Sequence, residues 1–326
     1  MKMTIRTMSM MIISAGLVLH AGCKKDEGTT RAGPGDGGGG AWLVGQDGTM
    51  INVSPTTSQI GGYDLDADED LLDIACRGAD TAWVVGEGGT LLRTTDRAES
   101  WQAIDLSTTR TLRTVAASEG QVVYIAGDSG LALRSTDSGD TWADMVGGTD
   151  HFTASATAHD GRAALLGDSA GGLWRWDGAL VKTHQSEAPI HGVAVSGDGR
   201  TAIAVGDGGM ILRSLDGGTQ WQRLDTGLDG ALRDVWVTSD GSSALAVGDG
   251  ALLVQIDQAG TTTRALLAGG PTLRGIHLAA DGSGMVVGDS GTGLITTDHG
   301  ASWTQVELGT SRTLHAVDDI HTVPHL

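Results

Sequence analysis

The chain has 326 residues, which is long for one domain, although closed β-folds reach about 200–250 residues as a single unit. Its 52 glycines against five prolines, with many Thr, Val and Ala between them, indicate short strands joined by Gly-rich turns rather than helices. A formal charge of −19 and a pI near 4.6 argue against the broad cationic surface that nucleic acids need, so no nucleic-acid partner is expected.

The first 22 residues have the layout of a secretory signal. A basic start precedes an apolar run from Met8 to Leu19, which leads into His20-Ala21-Gly22-Cys23. The small-small-Cys ending resembles the bacterial lipobox, in which the cysteine is lipidated and becomes the mature N-terminus, although His20 stands where Leu is usual. We expect residues 1–22 to be a lipoprotein-type signal peptide and Cys23 to be lipidated. Ordinary signal cleavage and a retained membrane anchor are the alternatives.

After Cys23 the sequence reads KKDEGTTRAGPGDGGGG, so residues 23–40 are expected to form a flexible Gly-rich tether. Acyl chains on the cysteine would hold the protein on a membrane, since each buried methylene contributes about 0.8 kcal/mol. We therefore expect export across the inner membrane and a periplasmic, outer-membrane or cell-surface lipoprotein. The folded part is then 41–326. Cys76 is the one cysteine within it, so an internal disulfide is not expected.

One unit of about 40 residues recurs seven times along the folded part. Its copies contain the segments AWLVGQDG, AWVVGEGG, VYIAGDSG, AALLGDSA, AIAVGDGG, ALAVGDGA and GMVVGDSG. The first glycines of these segments are at positions 45, 86, 127, 167, 206, 248 and 288. Each copy predicts four short strands, with a turn after the second strand and an Asp-containing turn before the fourth. Four strands in about 40–50 residues is the period of a propeller blade, so the sequence predicts an all-β, seven-bladed β-propeller.

The first copy begins directly with its second strand. The missing first strand is found at the other end, where TLHAVDDI at 313–320 matches TLRTV at 111–115. We expect this C-terminal strand to pair with the segment around Trp42 and close the ring, which leaves no open sheet edge there.

The Asp-containing turns follow the pattern Ser/Thr-x-Asp-x-Gly-x-x-Trp. This pattern resembles the Asp box, or bacterial neuraminidase repeat, of sialidases, some glucan hydrolases and sorting receptors. We expect a structural hairpin, because Asp accepts bonds from backbone N–H groups of its own turn, Gly permits positive φ and Trp packs on the sheet. Ala98 replaces the glycine in one box, and the first, fourth and sixth copies lack the complete pattern. The predicted box residues are Asp96, Trp101, Asp137, Trp142, Asp216, Trp221, Asp298 and Trp303.

Catalytic and metal-binding interpretations find little support. A sialidase needs a Phe-Arg-Ile-Pro start, which is impossible because the single phenylalanine, Phe152, is followed by Thr153. No acid pair is marked by position for a glycosidase. The acidic loop at 64–73 imitates a calcium loop but lacks the required glycine, so a solvated loop is favoured over calcium binding. We predict no catalytic residue, no metal and no cofactor, and a buried thiol at Cys76.

A repeated basic position is the strongest candidate for a binding site. Alignment of the first strands places Leu72, Arg113, Thr153, His191, Arg233, Arg274 and His315 at one blade position. Five of these seven are Arg or His, and a ring of them near the mouth of the central channel would attract an anionic group or an acidic peptide. We therefore predict Arg113, His191, Arg233, Arg274 and His315 as partner-binding residues. The alternative is that each pairs with a carboxylate of a neighbouring blade and ties the blades together.

Across residues 41–320 the motifs V-G-x-x-G, I-L-R-S/T-x-D-x-G-x-x-W and L-R-x-V resemble those of the photosystem II assembly and stability factor family. The resemblance implies a secreted or lumenal seven-bladed propeller, sometimes lipid-anchored, with an arginine-rich face. It also implies help in assembling a photosystem II reaction-centre protein without catalysis. Arg113, Arg233 and Arg274 match the L-R-x-V motif, and His191 and His315 depart from it.

From this resemblance we expect a monomeric, lipid-anchored envelope scaffold or assembly factor that binds a protein or peptide ligand. A carbohydrate-binding or glycan-cleaving Asp-box propeller and a purely structural surface lipoprotein are the alternatives. Fold analogy identifies architecture more securely than it identifies the partner.

Overall fold

The structure is a computed structural model that describes residues 40–53, 60–64, 69–78, 80–148, 150–257, 260–267 and 269–320. The predicted signal peptide, Cys23, nearly all of the predicted tether and the centre of the acidic loop lie outside the described residues. Within the described part, no helix is long and apolar enough to cross a membrane.

The described residues form 28 strands in seven four-stranded antiparallel sheets. The first, innermost strands of the blades are β28 (Leu314–Ile320), β4 (Leu71–Arg77), β8 (Leu112–Ala117), β12 (Phe152–Thr157), β16 (Ile190–Val195), β20 (Leu232–Val237) and β24 (Leu273–Leu278). The second strands are β1 (Gly40–Gly45), β5 (Thr81–Gly86), β9 (Val123–Gly127), β13 (Ala164–Asp168), β17 (Ala202–Gly206), β21 (Ala244–Gly248) and β25 (Gly284–Gly288).

The two outer positions of each blade complete the sheets. The third strands are β2 (Thr49–Val53), β6 (Leu91–Thr94), β10 (Ala132–Ser135), β14 (Gly172–Trp176), β18 (Ile211–Ser214), β22 (Leu252–Ile256) and β26 (Gly293–Thr296). The fourth strands are β3 (Ile60–Asp64), β7 (Gln102–Ala103), β11 (Ala143–Asp144), β15 (Leu180–Gln185), β19 (Gln222–Leu224), β23 (Thr261–Ala265) and β27 (Thr304–Gln305). Single 3-10 turns in the described part are Glu87–Gly89, Asp128–Gly130, Asp249–Ala251 and Asp289–Gly291.

Each blade takes its number from its place along the chain, so blade 1 is β28 with β1–β3 and blade 7 is β24–β27. The core is divided into seven hydrophobic clusters, which lie between adjacent blades. Between blades 2 and 3, for example, Trp83 and Val85 pack against Val115, Val123 and Ile125. A blade buries both of its apolar faces only when a neighbour lies on each side, so the seven sheets need a closed ring. The predicted seven-bladed propeller with four strands per blade is confirmed.

The ring closes as expected, because β28 pairs antiparallel with β1 and Trp42 lies opposite Asp318. Leu314 of β28 is fully buried, in a cluster that contains Leu43 of blade 1 and Val287 of blade 7. The strand that is most distant in sequence therefore completes blade 1, and its side chains join that blade to its neighbour.

The recurring glycine at the end of the second strand is explained by close backbone approach. A Cβ added at Gly127 would lie 2.1 Å from the carbonyl oxygen of Thr111, and one at Gly206 would lie 2.0 Å from that of Pro189. In the fourth blade the sequence alignment is one residue off. The structure places Asp168 rather than Gly167 at the end of the second strand, opposite Phe152.

The Asp boxes form hairpin turns between third and fourth strands. In blade 3, the Ser135 hydroxyl donates to Asp137 Oδ1 at 2.7 Å and accepts the Gly139 N–H at 2.7 Å. The Thr141 N–H and hydroxyl both donate to Asp137, at 2.8 and 2.5 Å. These hydrogen bonds lower the pKa of the exposed Asp137 carboxyl to about 2. The box carboxylate is thus occupied by its own turn.

The other three boxes repeat this arrangement around Asp96, Asp216 and Asp298. The box tryptophans Trp142, Trp221 and Trp303 each donate their indole N–H to the carbonyl of the box glycine at 3.0–3.1 Å. In the Ala98 box, the Trp101 indole nitrogen has no hydrogen-bond partner among the described residues. Trp101 instead meets Trp42 edge to face, with ring centroids 6.2 Å apart.

Candidate binding site at the channel mouth

The first strands of the seven blades line a central channel with a volume of about 370 Å³. Because neighbouring strands are antiparallel, the first strands begin at the same end of each blade as the second strands end. That end is the channel mouth. The Asp boxes follow the third strands and therefore lie on the opposite face.

The five basic residues predicted from the alignment all line the channel. Each is the second residue of its first strand, and we call them the mouth ring: Arg113, His191, Arg233, Arg274 and His315. Leu72 and Thr153 occupy the same position in blades 2 and 4. The β-structure thus brings together side chains that are about 40 residues apart in sequence.

Every member of the mouth ring meets an aspartate. Four partners follow the end of the second strand in the same blade, and the fifth, Asp70, precedes β4. The ring–aspartate distances are Arg113–Asp128 2.5 Å, His191–Asp207 2.7 Å, Arg233–Asp249 3.0 Å, Arg274–Asp289 2.5 Å and His315–Asp70 3.7 Å. Four of the five contacts lie within one blade, and the fifth joins blades 1 and 2. Burial and the nearby Arg274 lower the pKa of His315, so the arginines supply the permanent positive charge of the mouth.

These pairs shape the electrostatics of the mouth. Partial burial acts to raise the pKa of Asp128, but hydrogen bonds from Arg113 and His151 outweigh burial and hold that pKa below its usual value. Arg233 makes a bidentate contact with Asp249, through Nε at 3.0 Å and Nη2 at 3.2 Å. Partial burial acts to raise the pKa of Asp249, but the hydrogen bonds and charge of Arg233 outweigh burial and lower it. The guanidiniums are consequently oriented by fixed carboxylates.

Sequence reasoning missed His151 and the aspartates of the mouth. His151 Nδ1 lies 2.9 Å from Asp128 Oδ1, and it precedes β12, outside the aligned strand position. The aspartates carried a readable signal, because Asp follows the blade glycine in most copies of the repeat. Each such residue lies directly across from the start of the first strand, where the mouth ring lies.

Contacts between blades are also made by an arginine position in the third strand. Arg93 Nη1 donates to the carbonyl of Ser138 at 2.9 Å, and Arg175 Nε donates to that of Gly217 at 3.1 Å. Arg213 reaches the carbonyl of Asp257 at 3.3 Å. In each case the acceptor lies in the turn between the third and fourth strands of the following blade. The third-strand arginines therefore join blades on the Asp-box face.

Below the mouth the channel contains half-buried carboxylates. Asp73 accepts the N–H of Val115 in the next blade at 2.9 Å, and Asp234 accepts that of Ile276 at 2.9 Å. Burial raises the pKa of Asp73 to about 7 and that of Asp234 to about 6. Burial also raises the pKa of the Cys76 thiol well above its usual value, with the charge of Asp318 adding to it.

The described residues hold no group of three or more His, Cys, Asp or Glu side chains placed to bind a metal ion. The chemistry that the mouth offers is hydrogen bonding and charge pairing. Oriented guanidiniums suit carboxylates and main-chain carbonyls, whereas neighbouring aspartates accept N–H groups.

Known proteins share this fold and its repeats. The sequence model of the family described as "Photosynthesis system II assembly factor YCF48" matches residues 40–149, about a third of the chain. The expected family resemblance is confirmed. The matched residues contain β1–β3 of blade 1 and all strands of blades 2 and 3. No curated protein matches the chain.

Solved structures share the architecture at low sequence identity. "YCF48 bound to D1 peptide" has a TM-score of 0.59 and 18% identity, with 72% of this chain and 80% of that chain covered. YCF48 from Cyanidioschyzon merolae has a TM-score of 0.60 and 15% identity, with coverages of 75% and 87%. The WD40 beta propeller domain of Doa1 has a TM-score of 0.63 and 15% identity, with coverages of 77% and 86%. Likeness at these identities shows the fold alone.

Proposed function

We propose that this chain is a non-catalytic, lipid-anchored propeller of the cell envelope that binds a protein or peptide at its channel mouth, as a scaffold or assembly factor. The observation that carries the proposal is the mouth ring, in which a basic side chain recurs at one blade position and is oriented by an aspartate. Repetition around an accessible opening suits recognition, because it presents several donors to one ligand at once.

The detailed contacts favour an extended peptide that combines a carboxylate with main-chain polar groups. Arg113 and Arg274 contact their aspartates through Nε, and a guanidinium has further N–H donors on its two Nη atoms for a ligand. A ligand carboxylate can accept these donors, and ligand N–H groups can bond the aspartates. The similar protein bound to the D1 peptide supports a peptide ligand for a propeller of this family. The Asp boxes favour no glycan ligand, because their carboxylates are engaged in their own turns.

Capture from native membranes tests this function. The purified protein is crosslinked to detergent-solubilised membranes of its source, and the bound proteins are identified by mass spectrometry. The triple variant Arg113→Gln, Arg233→Gln and Arg274→Gln should lose the captured partner and keep the circular dichroism spectrum of the wild type.

A matched triple variant controls for lost charge. Arg97, Arg162 and Arg200 are largely exposed and lie at turns on the Asp-box face, so their replacement by Gln removes the same charge elsewhere. The control should retain the partner. Equal capture by both triple variants would show that the mouth does not bind it.

The lipid anchor has its own test. Globomycin, which blocks lipoprotein signal peptidase, should make a precursor accumulate, and Cys23→Ser should release the protein from membranes. Unchanged mobility and membrane association would contradict the anchor while leaving the mouth ring untouched. We expect the protein to be a monomer in light scattering.

A further inference from the structure

A continuous set of ionisable side chains crosses the ring closure inside the channel. Asp234 of blade 6 accepts the Ile276 N–H of blade 7 at 2.9 Å, and His277 of blade 7 contacts Asp318 of blade 1 at 2.8 Å. Asp318 in turn accepts the Cys76 N–H of blade 2 at 2.7 Å. Asp73 of blade 2 then accepts the Val115 N–H of blade 3. We call Asp73, Asp234, His277 and Asp318 the channel seam.

The blade junctions on the other side of the channel use neutral groups at this depth. The hydroxyls of Thr114 and Ser155 lie 2.7 Å apart between blades 3 and 4. Nearer the mouth, at the position of the mouth ring, the Thr153 hydroxyl donates to the carbonyl of Ile190 at 2.6 Å between blades 4 and 5. At the depth of the seam, the wall at blades 3 and 4 thus presents hydroxyls, whereas the wall from blade 6 through blade 1 to blade 2 presents titrating groups. The titrating side contains the closing strand β28.

We propose that the channel seam is a proton-dependent latch across the ring closure, which holds blades 6, 7, 1, 2 and 3 together in mildly acidic solution and loosens above neutral pH. The hydrogen bonds of the seam carboxylates place the latch at the junctions between blades. Each seam carboxylate bonds its own following N–H and that of the next blade, as at Ile74 and Val115 for Asp73.

Charge explains the direction of the effect. Burial raises the pKa of Asp73 to about 7, and the nearby Asp234 adds to the rise. Burial likewise raises the pKa of Asp234 to about 6. For His277, burial acts to lower the pKa, but Asp318 outweighs it and the pKa is raised. At mildly acidic pH the two aspartic acids are neutral and His277 balances Asp318. Above neutral pH, Asp73 and Asp234 become charged and add two negative charges to that of Asp318.

The remaining titratable groups of the channel do not reverse this direction. Near the seam they are the Cys76 thiol, which burial keeps protonated, and Asp319, whose charge acts on both Cys76 and His277. Toward the mouth they are the members of the mouth ring. Burial and Arg274 lower the pKa of His315, so its titration opposes the latch only below its ordinary pKa of 6.5 and not above neutral pH. Loosening should therefore begin at β28 and its neighbours β4 and β24.

Hydrogen exchange on the full folded protein tests the latch, with peptides from β4, β24 and β28 compared with peptides from β16. Protection factors, corrected for the intrinsic pH dependence of exchange, should fall at least about tenfold at β4, β24 and β28 between about pH 5.5 and about pH 8.5. Protection at β16 should change much less.

Variants assign the effect to the seam. Asp73→Asn and Asp234→Asn introduce neutral groups of the same shape, so each should reduce the fall in protection and the double variant should nearly remove it. Asp144→Asn changes an exposed aspartate of outer strand β11 and should behave as the wild type. Parallel changes at β16 and β28 in the wild-type protein would overturn the proposal even if a seam variant failed to fold. An undiminished fall in folded seam variants would overturn it as well.

Discussion

Leu314→Ala is the most direct test of the ring closure. Leu314 is fully buried where β28 joins blades 7 and 1, and its cluster includes Leu43 and Val287. Truncation of a fully buried leucine costs about 2–5 kcal/mol, and the tight packing of this junction places the expected loss of unfolding free energy near 3 kcal/mol. Since domains are commonly stable by about 5–15 kcal/mol, such a loss is large and measurable.

The assay is urea unfolding followed by tryptophan fluorescence, because Trp42 lies on the strand that pairs with β28. Leu112→Ala is the matched variant, since Leu112 holds the same place in blade 3 and is also fully buried. Val146→Ala is the neutral control, because Val146 is 83% exposed and surface changes usually stay within about 0.5 kcal/mol. If closure is as described, Leu314→Ala and Leu112→Ala should cost similar amounts. A cost below about 1 kcal/mol for Leu314→Ala alone would refute the closure.

Two further predictions concern turns. Gly127→Ala should lower the unfolding free energy by more than about 3 kcal/mol because its Cβ would lie 2.1 Å from Thr111 O. Gly208→Ala, with φ +64° and open space around it, should cost only about 1 kcal/mol in the same urea assay; equal costs would contradict the close approach. The pKa of Asp137 is lowered to about 2, chiefly by the Thr141 hydroxyl, so its stabilisation is present above its ordinary value of 3.8 and is lost as pH falls toward 2. Asp137→Asn should therefore flatten the decline of Tm over that range, and an unchanged decline would count against this role.

Most of the fold could be predicted from the repeat in the sequence. A blade buries its faces only against neighbours, so recurrence of the same four-strand pattern was enough to predict the ring and the closing segment at 313–320. The fourth blade was misaligned by one residue because Asp168 stands where the other blades have glycine. In sequence, Gly167 looks like the glycine of close approach, although that position is occupied by Asp168.

The site was less predictable than the fold. Alignment located the mouth ring correctly at the channel but gave no view of its partners, since Asp128 and Asp249 come from a different strand end. The inter-blade role considered for the ring is filled in part, by His315 with Asp70 and by Arg233 with His191, while the other ring–aspartate pairs lie within one blade. Third-strand residues such as Arg93 and Arg175 also join blades. Which of two repeated arginines reaches across a junction depends on side-chain direction, and a strand pattern does not specify that.

Closure by β28 also sets the order in which the molecule can be completed during synthesis. β28 follows β1 by roughly 270 residues along the chain, so blade 1 lacks its inner strand until nearly all of the other blades have been made. Through that interval β1 presents an unpaired edge to the surrounding solution, a condition that favours pairing with other chains. During synthesis, the exposed edge of blade 1 is therefore open to wrong pairing for longer than any other described edge. The native fold can form only after β28, the last of the described strands, has been made.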